Sequence, residues 1–332
     1  MPEHLVESVP NLSEGRRLGV IDRAAAAIER TPGVHLLDRT SDADHNRSVL
    51  TMAGEPGAVT DALEALVGVA LAEIDMELHT GEHPRIGAVD VIPFVPLGDM
   101  TMAEVVDLAH AFGRRLAARY DLPVYFYADA ATRPDRVKLA DVRRGQYEGL
   151  KAEIGQRGRE PDEGPARMHP TGGAVAVGAR PFLVAWNIDL DTDDLEVAKR
   201  IARRVRESGG GLPKVQANGF LIAERGRSQV SMNLLDTSIT PMWRVWDEVA
   251  ELAAVEGVRT AESELIGLAP LAAFTGVADH AGASPTLPVE QRFAAAAEYL
   301  RLRDADPAMA LELRLATARA ASGRGRPGPE RP

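Results

Sequence analysis

Apolar residues recur along this chain at intervals of two in some stretches and of three or four in others, and the alternation sets out an order of elements. A short alternating stretch at residues 5–9 runs into Pro10-Asn11-Leu12-Ser13-Glu14-Gly15. Helical spacing then covers 16–30 and stops at Pro32-Gly33. Ser13 is expected at the start of that helix, with Glu14 favoured by the positive dipole end. Strand patterns at 34–37 and 48–52 flank a polar stretch, 38–47. A long helix is predicted from 58 to about 78, with Leu63, Leu66, Val67, Val69, Ala70 and Ile74 on helical spacing. Val89-Asp90-Val91-Ile92-Pro93-Phe94-Val95 alternates as a strand, so the order is β-α-β-β-α-β.

The same order returns further along. A strand is predicted at 182–188, and a helix capped by aspartates at 193–208, closed by Gly209-Gly210-Gly211. Strands at 215–223 and 229–234 pair around Glu224-Arg225-Gly226. An amphipathic helix follows at 242–255, and then a strand around 265–268. Two such units predict an α+β protein of two ferredoxin-like (split βαβ) subdomains, with mixed sheets and helices on one face of each. Their sheets are expected to face each other across an interdomain cleft, a usual place for a small-molecule site. Residues 100–150 add helices and one strand, 124–127, and a Gly/Pro/charge-rich connector, 155–173, joins the halves. The expected boundaries are 1–180, 181–275, a helical extension at 276–315 and a disordered tail at 316–332, whose last residues are rich in Gly, Pro and Arg.

Between the second helix and the strand that follows lies Leu78-His79-Thr80-Gly81-Glu82-His83-Pro84-Arg85-Ile86-Gly87-Ala88. It gathers an imidazole, a carboxylate and a guanidinium (Glu82, His83, Arg85) between two glycines. Charged groups held where a helix hands over to a strand point to a reaction site. His79, Glu82 and His83 also spell H-x-x-E-H, the formal signature of a zinc peptidase. That chemistry needs both histidines one turn apart on a helix, and Pro84 pushes His83 out of the α region. Zinc is therefore set aside and no metal is expected. His83 is the natural proton shuttle, because imidazole titrates near neutral pH. Glu82 is a candidate to orient it, and Arg85 offers a planar fork for carboxylate. The plainer alternative pairs Arg85 with Asp90 and lets His83 cap the preceding helix.

Composition narrows the classes further. No cysteine is present among 332 residues, which excludes disulfides, thiolate nucleophiles and Cys-based metal centres. A net charge of -11 argues against a nucleic-acid surface and for a soluble cytoplasmic protein. No apolar run approaches the ~20 residues that span a bilayer, and the opening Met1-Pro2-Glu3-His4 lacks a signal-peptide pattern. His4, His45, His110 and His280 read as surface or packing residues, and His79 as a residue backing His83. His169 lies in a stiff, small-residue segment that suits either a ligand-lining loop or a plain linker. Asn11, at a strand end, could address a substrate through both donor and acceptor.

Several blocks together resemble the formiminotransferase family, the transferase half of formiminotransferase-cyclodeaminase. They are Val9-Pro10-Asn11-Leu12-Ser13-Glu14-Gly15, Asn46-Arg47-Ser48-Val49, Gly81-Glu82-His83-Pro84-Arg85-Ile86-Gly87-Ala88-Val89-Asp90, Gly145-Gln146-Tyr147-Glu148 and Ser263-Glu264-Leu265-Ile266-Gly267-Leu268. With the intervening matches they run in order from about residue 4 to residue 274. The resemblance implies transfer of a formimino group from N-formimino-L-glutamate to N5 of tetrahydrofolate, giving L-glutamate and 5-formiminotetrahydrofolate, a step of histidine degradation. It puts the family's catalytic histidine on His83. It puts the folate-contacting loop on Gly164-Pro165-Ala166-Arg167-Met168-His169-Pro170-Thr171-Gly172-Gly173. It implies tetrahydrofolate as co-substrate, small-molecule substrates as the only ligands with no nucleic acid or membrane, and a homodimer. It also implies a monofunctional chain, with no cyclodeaminase half following. Arg47 and Arg85 are the candidates for the substrate carboxylates.

The chain departs from the family at three places. Thr40 stands where many members carry an acid, leaving Asp42 and Asp44 as the nearby carboxylates. Gln146 replaces a usual Glu, and Glu163 replaces an aromatic just before the folate loop. These departures keep other readings open on the same scaffold: formyl transfer from N-formylglutamate, hydrolysis with water as acceptor, or a non-catalytic folate-binding protein.

Overall fold

The computed structural model describes residues 4–324 and divides at Pro181/Phe182 into two compact units. The first is built on β1 (His4–Ser8), β2 (Asn11–Leu12), α1 (Leu18–Glu29), β3 (Val34–Asp42), β4 (Arg47–Gly54), α2 (Pro56–Glu73), β5 (Val89–Gly98), α3 (Met102–Tyr120), β6 (Val124–Ala128), α4 (Leu139–Val142), α5 (Gln146–Glu153) and β7 (Val175–Ala179). One seven-stranded sheet holds them together. Across it, β3 pairs with β4, β4 with β1 and β2, both of these with β5, and β5 with β7, which pairs in turn with β6. The β5–β7–β6 ladder is parallel and the remaining pairings are antiparallel.

Strand alternation shows what each face buries. Val124 and Phe126, Val175 and Val177, and Ile92 and Phe94 enter one core with the apolar sides of α1, α2 and α3. Their neighbours Tyr125, Tyr127, Ala174, Ala176 and Val91 enter a second core against Val142, Leu150 and Ile154 of the α4–α5 region. Helices therefore cover both faces of this sheet, not one as the sequence pattern implied. The reason is β7. Its run Val175-Ala176-Val177-Gly178-Ala179 is buried on both sides and carries no amphipathic signal, so it escaped the sequence reading.

Three other sequence expectations change in this unit. The β3–β4 hairpin reaches well beyond 34–37 and 48–52, pairing as far as Asp42 opposite Arg47, because an edge strand tolerates exposed polar residues. Helix α2 stops at Glu73 instead of continuing to about residue 78. Ile74 is extended, and the amide of Met76 donates to Thr171 O at 2.8 Å, a tertiary partner in place of a helical one. Residues 155–173 are no interdomain connector. They fold back onto their own unit, with the amide of Val124 donating to Glu163 O (2.9 Å) and that of Ala88 to Gly172 O (2.8 Å).

That closeness explains Gly87. A Cβ there would lie 1.9 Å from Ala174 O, and backbone on both sides leaves no flexible atom to give way. Gly87→Ala is expected to destabilise the protein by about 1–3 kcal/mol, the usual range for overpacking, read as a lower urea midpoint at unchanged slope.

The second unit comprises β8 (Val184–Leu190), α6 (Leu195–Val205), β9 (Val215–Ile222), β10 (Arg227–Leu234), α7 (Met242–Val255), β11 (Thr260–Ile266), α8 (Leu271–His280), α9 (Val289–Tyr299) and α10 (Leu311–Arg324). Its four strands form an antiparallel sheet in the order β11-β8-β10-β9. Asp194 caps α6 by accepting from the amide of Glu196 at 2.8 Å. Trp186, Ile188, Val230 and Met232 pack against α6 and α7, and Trp186 and Trp246 meet at 6.2 Å. Phe274 and Val277 of α8 and Phe293 and Ala296 of α9 belong to this same core, so the segment read as a helical extension shares the unit's interior. The last helix runs through residues 316–324 of the expected tail, and 325–332 lie outside the described residues. Among the described residues no helix is long and apolar enough to cross a membrane.

Candidate active site

Three backbone segments of the first unit converge on one narrow recess. It is lined by Asn11, Leu12 and Ser13 at β2, by His45, Asn46 and Arg47 at the tip of the β3–β4 hairpin, and by His79, His83 and Arg85 of the α2–β5 loop with Asp90 at the start of β5. Gly81 brings the second and third segments together. A Cβ at that position would lie 2.5 Å from His45 O. Asn46, with φ at 49°, secures the junction: its Oδ1 accepts from the amide of Gly15 (2.9 Å) and its Nδ2 donates to Thr80 O (2.9 Å).

Ser13 does not begin the first helix. Its hydroxyl donates to Gly87 O at 2.7 Å and its amide to Ala88 O at 2.9 Å, fastening the end of β2 to the loop that carries His83. Glu14 accepts from the amides of Arg16 and Arg17 just ahead of α1. Asn11 is buried, and its Nδ2 donates to Val9 O at 3.0 Å.

Arg85 is buried and fully engaged. Its Nη2 and Nη1 donate to the two carboxylate oxygens of Glu148 (2.6 and 3.0 Å), Nη1 also to Gln146 Oε1 (3.0 Å), and Nε to His79 Nδ1 (3.2 Å). Because Nδ1 of His79 accepts, its proton is assigned to Nε2, which faces Asn46 O at 3.2 Å. Burial, with Arg85 close by, lowers the pKa of His79 and keeps this ring neutral. The alternative partner considered for Arg85, Asp90, belongs elsewhere: Asp90 is fully enclosed, accepts from the amide of Ile86 (2.8 Å) and pairs with Arg143 Nη2. Gln146, the departure from the family's usual acid, supplies one of the oxygens that hold Arg85.

His83 is half-buried, and its imidazole makes no hydrogen bond among the described residues. The ring of His45 approaches it edge-on, with centroids 6.4 Å apart. Burial, followed by the positive charges of Arg47 and Arg143, drives the His83 pKa down to about 3. The ring is thus an unprotonated base with a free nitrogen at neutral pH. Arg47 is the other unattached group. Its Nε is buried without a hydrogen-bond partner, and burial lowers its pKa.

Of the residues singled out in the sequence, the recess unites His83 with Asn11, Arg47 and Arg85, and adds His79. Glu82 is exposed and outside that set. The segment 164–173 does not line the recess. It adjoins it from the backbone side, through the antiparallel bridge of Gly87 with Gly173 and the bond from the amide of Ala174 to Ile86 O (3.0 Å). Within it the side chain of Arg167 pairs with Asp121, and His169 Nδ1 accepts from the amide of Gly172 (2.9 Å). Met168 packs between the two cores of the unit. Thr40 is exposed on β3, and Asp42 pairs with His45 Nδ1 at 3.0 Å.

Sequence reading missed His45, set aside as a surface or packing residue, and Arg143 and Glu148 as partners of the site. His45 could have been found from its position just before the Asn46-Arg47 block. Nothing in the sequence around Arg143 marks it. His79 and His83 lie in a loop beyond the end of α2, not on one helical turn, and no group of three or more His, Asp or Glu side chains is placed to hold a metal ion among the described residues.

A neutral imidazole beside guanidinium groups can exchange a proton with an anionic small molecule. Residues 5–180 match the model of the formiminotransferase domain's N-terminal subdomain, and residues 185–304 match that of the formiminotransferase domain. The glutamate formimidoyltransferase of Streptococcus pyogenes serotype M1 is 43% identical over 276 residues, covering 83% of this chain and 92% of that protein. That of Thermoplasma acidophilum is 43% identical over 278 residues, covering 83% and 91%. The formimidoyltransferase-cyclodeaminase of Rattus norvegicus is 42% identical over 280 residues, or 82% of this chain and 52% of the longer relative. The chain belongs to the formiminotransferase family.

Proposed function

We infer that this protein is a transferase that moves the formimino group of N-formimino-L-glutamate to N5 of tetrahydrofolate, its co-substrate. The family membership supports the reaction, and the single structural observation that carries the site is His83, a neutral and unpartnered imidazole in the arginine-lined recess. N5 attacks the formimino carbon, forming an N5–C bond and a tetrahedral centre flanked by nitrogens. His83 accepts the proton that N5 releases and returns it to the glutamate nitrogen as the C–N bond to glutamate breaks. The proton count closes with one imidazole acting as base and then as acid, a contribution of roughly 10²–10⁴ in rate.

The 164–173 segment is read as the folate-facing wall, supported by its backbone ties to residues 86–88, immediately beyond Arg85. The strand order β11-β8-β10-β9 in the second unit, and the matching β3-β4-β1-β5 portion of the first sheet, support reading each unit as ferredoxin-like.

The experiment mixes purified protein with N-formimino-L-glutamate and tetrahydrofolate, with a folate-free control and an N-formyl-L-glutamate arm. Folate-dependent 5-formiminotetrahydrofolate is the expected product. Glutamate release without folate would replace this reading by hydrolysis, and turnover confined to the N-formyl donor would replace it by formyl transfer.

A further inference from the structure

Three guanidinium groups stand around His83, those of Arg47, Arg85 and Arg143, and only two of them are held in ion pairs. Four elements face it: the hairpin tip brings His45 and Arg47, the α2–β5 loop brings His79 and Arg85, β5 brings Asp90, and the α4–α5 region brings Arg143 and Glu148. Arg85 is paired with Glu148 and Arg143 with Asp90, while Asp42 lies against the His45 ring and, like Asp90, acts on Arg47 from beyond ion-pair contact. Arg47 is left over. Its side chain has no ion pair among the described residues, and its Nε is sealed from water without an acceptor. The Nε of Arg143 is likewise buried and unpartnered, and its charge and that of Arg47 act on each other. Burying an unpaired charge is costly, so an arginine kept in that condition beside a reactive group calls for an anion from outside.

We propose that Arg47, backed by Arg143, is the seat of one carboxylate of the donor substrate, and that filling this seat is what allows His83 to hold the proton in transit. Burial opposes protonation of His83 first, and the charges of Arg47, Arg143 and Arg85 add to it. A carboxylate on Arg47 offsets the strongest of those charges, so the same ring becomes a better base once the donor is in position. Proton transfer is thereby tied to occupancy. The choice of Arg47 over Arg85 follows from the hydrogen bonds, since the guanidinium of Arg85 is already held by Glu148, Gln146 and His79. This proposal rests on the transferase reading only for the identity of the donor; the binding and the titration can be measured without turnover.

The test is an NMR titration of the His83 imidazole in the full chain, its resonances assigned by their loss in His83→Gln. It is run free, with the unreactive dicarboxylate N-acetyl-L-glutamate, and with the corresponding diamide. The dicarboxylate is expected to raise the midpoint by about one unit or more, and the uncharged diamide to leave it in place. Arg47→Gln is expected to raise the midpoint in the free protein and to abolish the further response. Arg47→Lys, which keeps the charge without the planar fork, is expected to keep the midpoint low while weakening the dicarboxylate at least tenfold. A dicarboxylate that binds without moving His83, or that moves it equally in Arg47→Gln, overturns the proposal. Should the transfer assay fail while these shifts appear, the carboxylate seat stands and the assigned reaction falls.

Discussion

His83→Asn is expected to lower kcat for formimino transfer by roughly 10²–10⁴ while leaving donor and folate binding within a few-fold of the parent protein. The asparagine amide fills part of the space and keeps a donor and an acceptor, but it cannot gain and release a proton near neutral pH. The structure favours this separation of turnover from binding, because the His83 ring makes no hydrogen bond that its loss would break, whereas Arg85, His79 and Asn46 hold the surrounding backbone without it. Steady-state kinetics and calorimetric binding of each substrate check the expectation together. Equal loss of binding and turnover would make His83 a ligand or a structural residue instead.

Asp90→Ala is expected to be the most destabilising change near the site, by about 3–5 kcal/mol. The Asp90 carboxylate is enclosed, pairs with Arg143 and accepts from the amide of Ile86 at 2.8 Å. Removing it strands a largely buried guanidinium and an amide in the interior. It also leaves a second uncompensated cation beside Arg47 and His83, so the surviving folded protein should lose activity. Asp90→Asn retains an acceptor for Ile86 and is expected to cost less than Asp90→Ala. Chemical denaturation of the three proteins gives the comparison, and a loss under about 1 kcal/mol for Asp90→Ala would mean that the pair is solvated and worth little.

Much of this architecture could be read from the chain because its signals are local. The apolar spacing that predicts a helix at 242–255 is met by α7, Met242–Val255, and the aspartates before residue 195 announce the cap of α6. The catalytic candidate was visible for the same reason: glycine, proline and three ionisable groups within a few residues. What stayed hidden depends on residues far apart in sequence. Arg143 meets Asp90 across 53 positions and carries no local mark, and Glu148 meets Arg85 across 63, a pairing that its Gly145–Glu148 block does not announce. Strand β7 owes its place to parallel pairing with β5 and β6, and its small residues resemble a buried loop until those neighbours are known. The end of α2 was misjudged because the apolar Ile74 and Met76 continue the helical spacing. Their burial is instead secured by the bond from the amide of Met76 to Thr171 O, across nearly a hundred residues of chain.

The structure of the protein with N-formimino-L-glutamate bound is the most direct measure of the central claim, that His83 and its arginine surround are where the formimino group is transferred. An imidazole nitrogen of His83 is expected within about 3–3.5 Å of the formimino group, with a donor carboxylate on Arg47. A donor bound outside the recess, with His83 and Arg47 untouched, would contradict it.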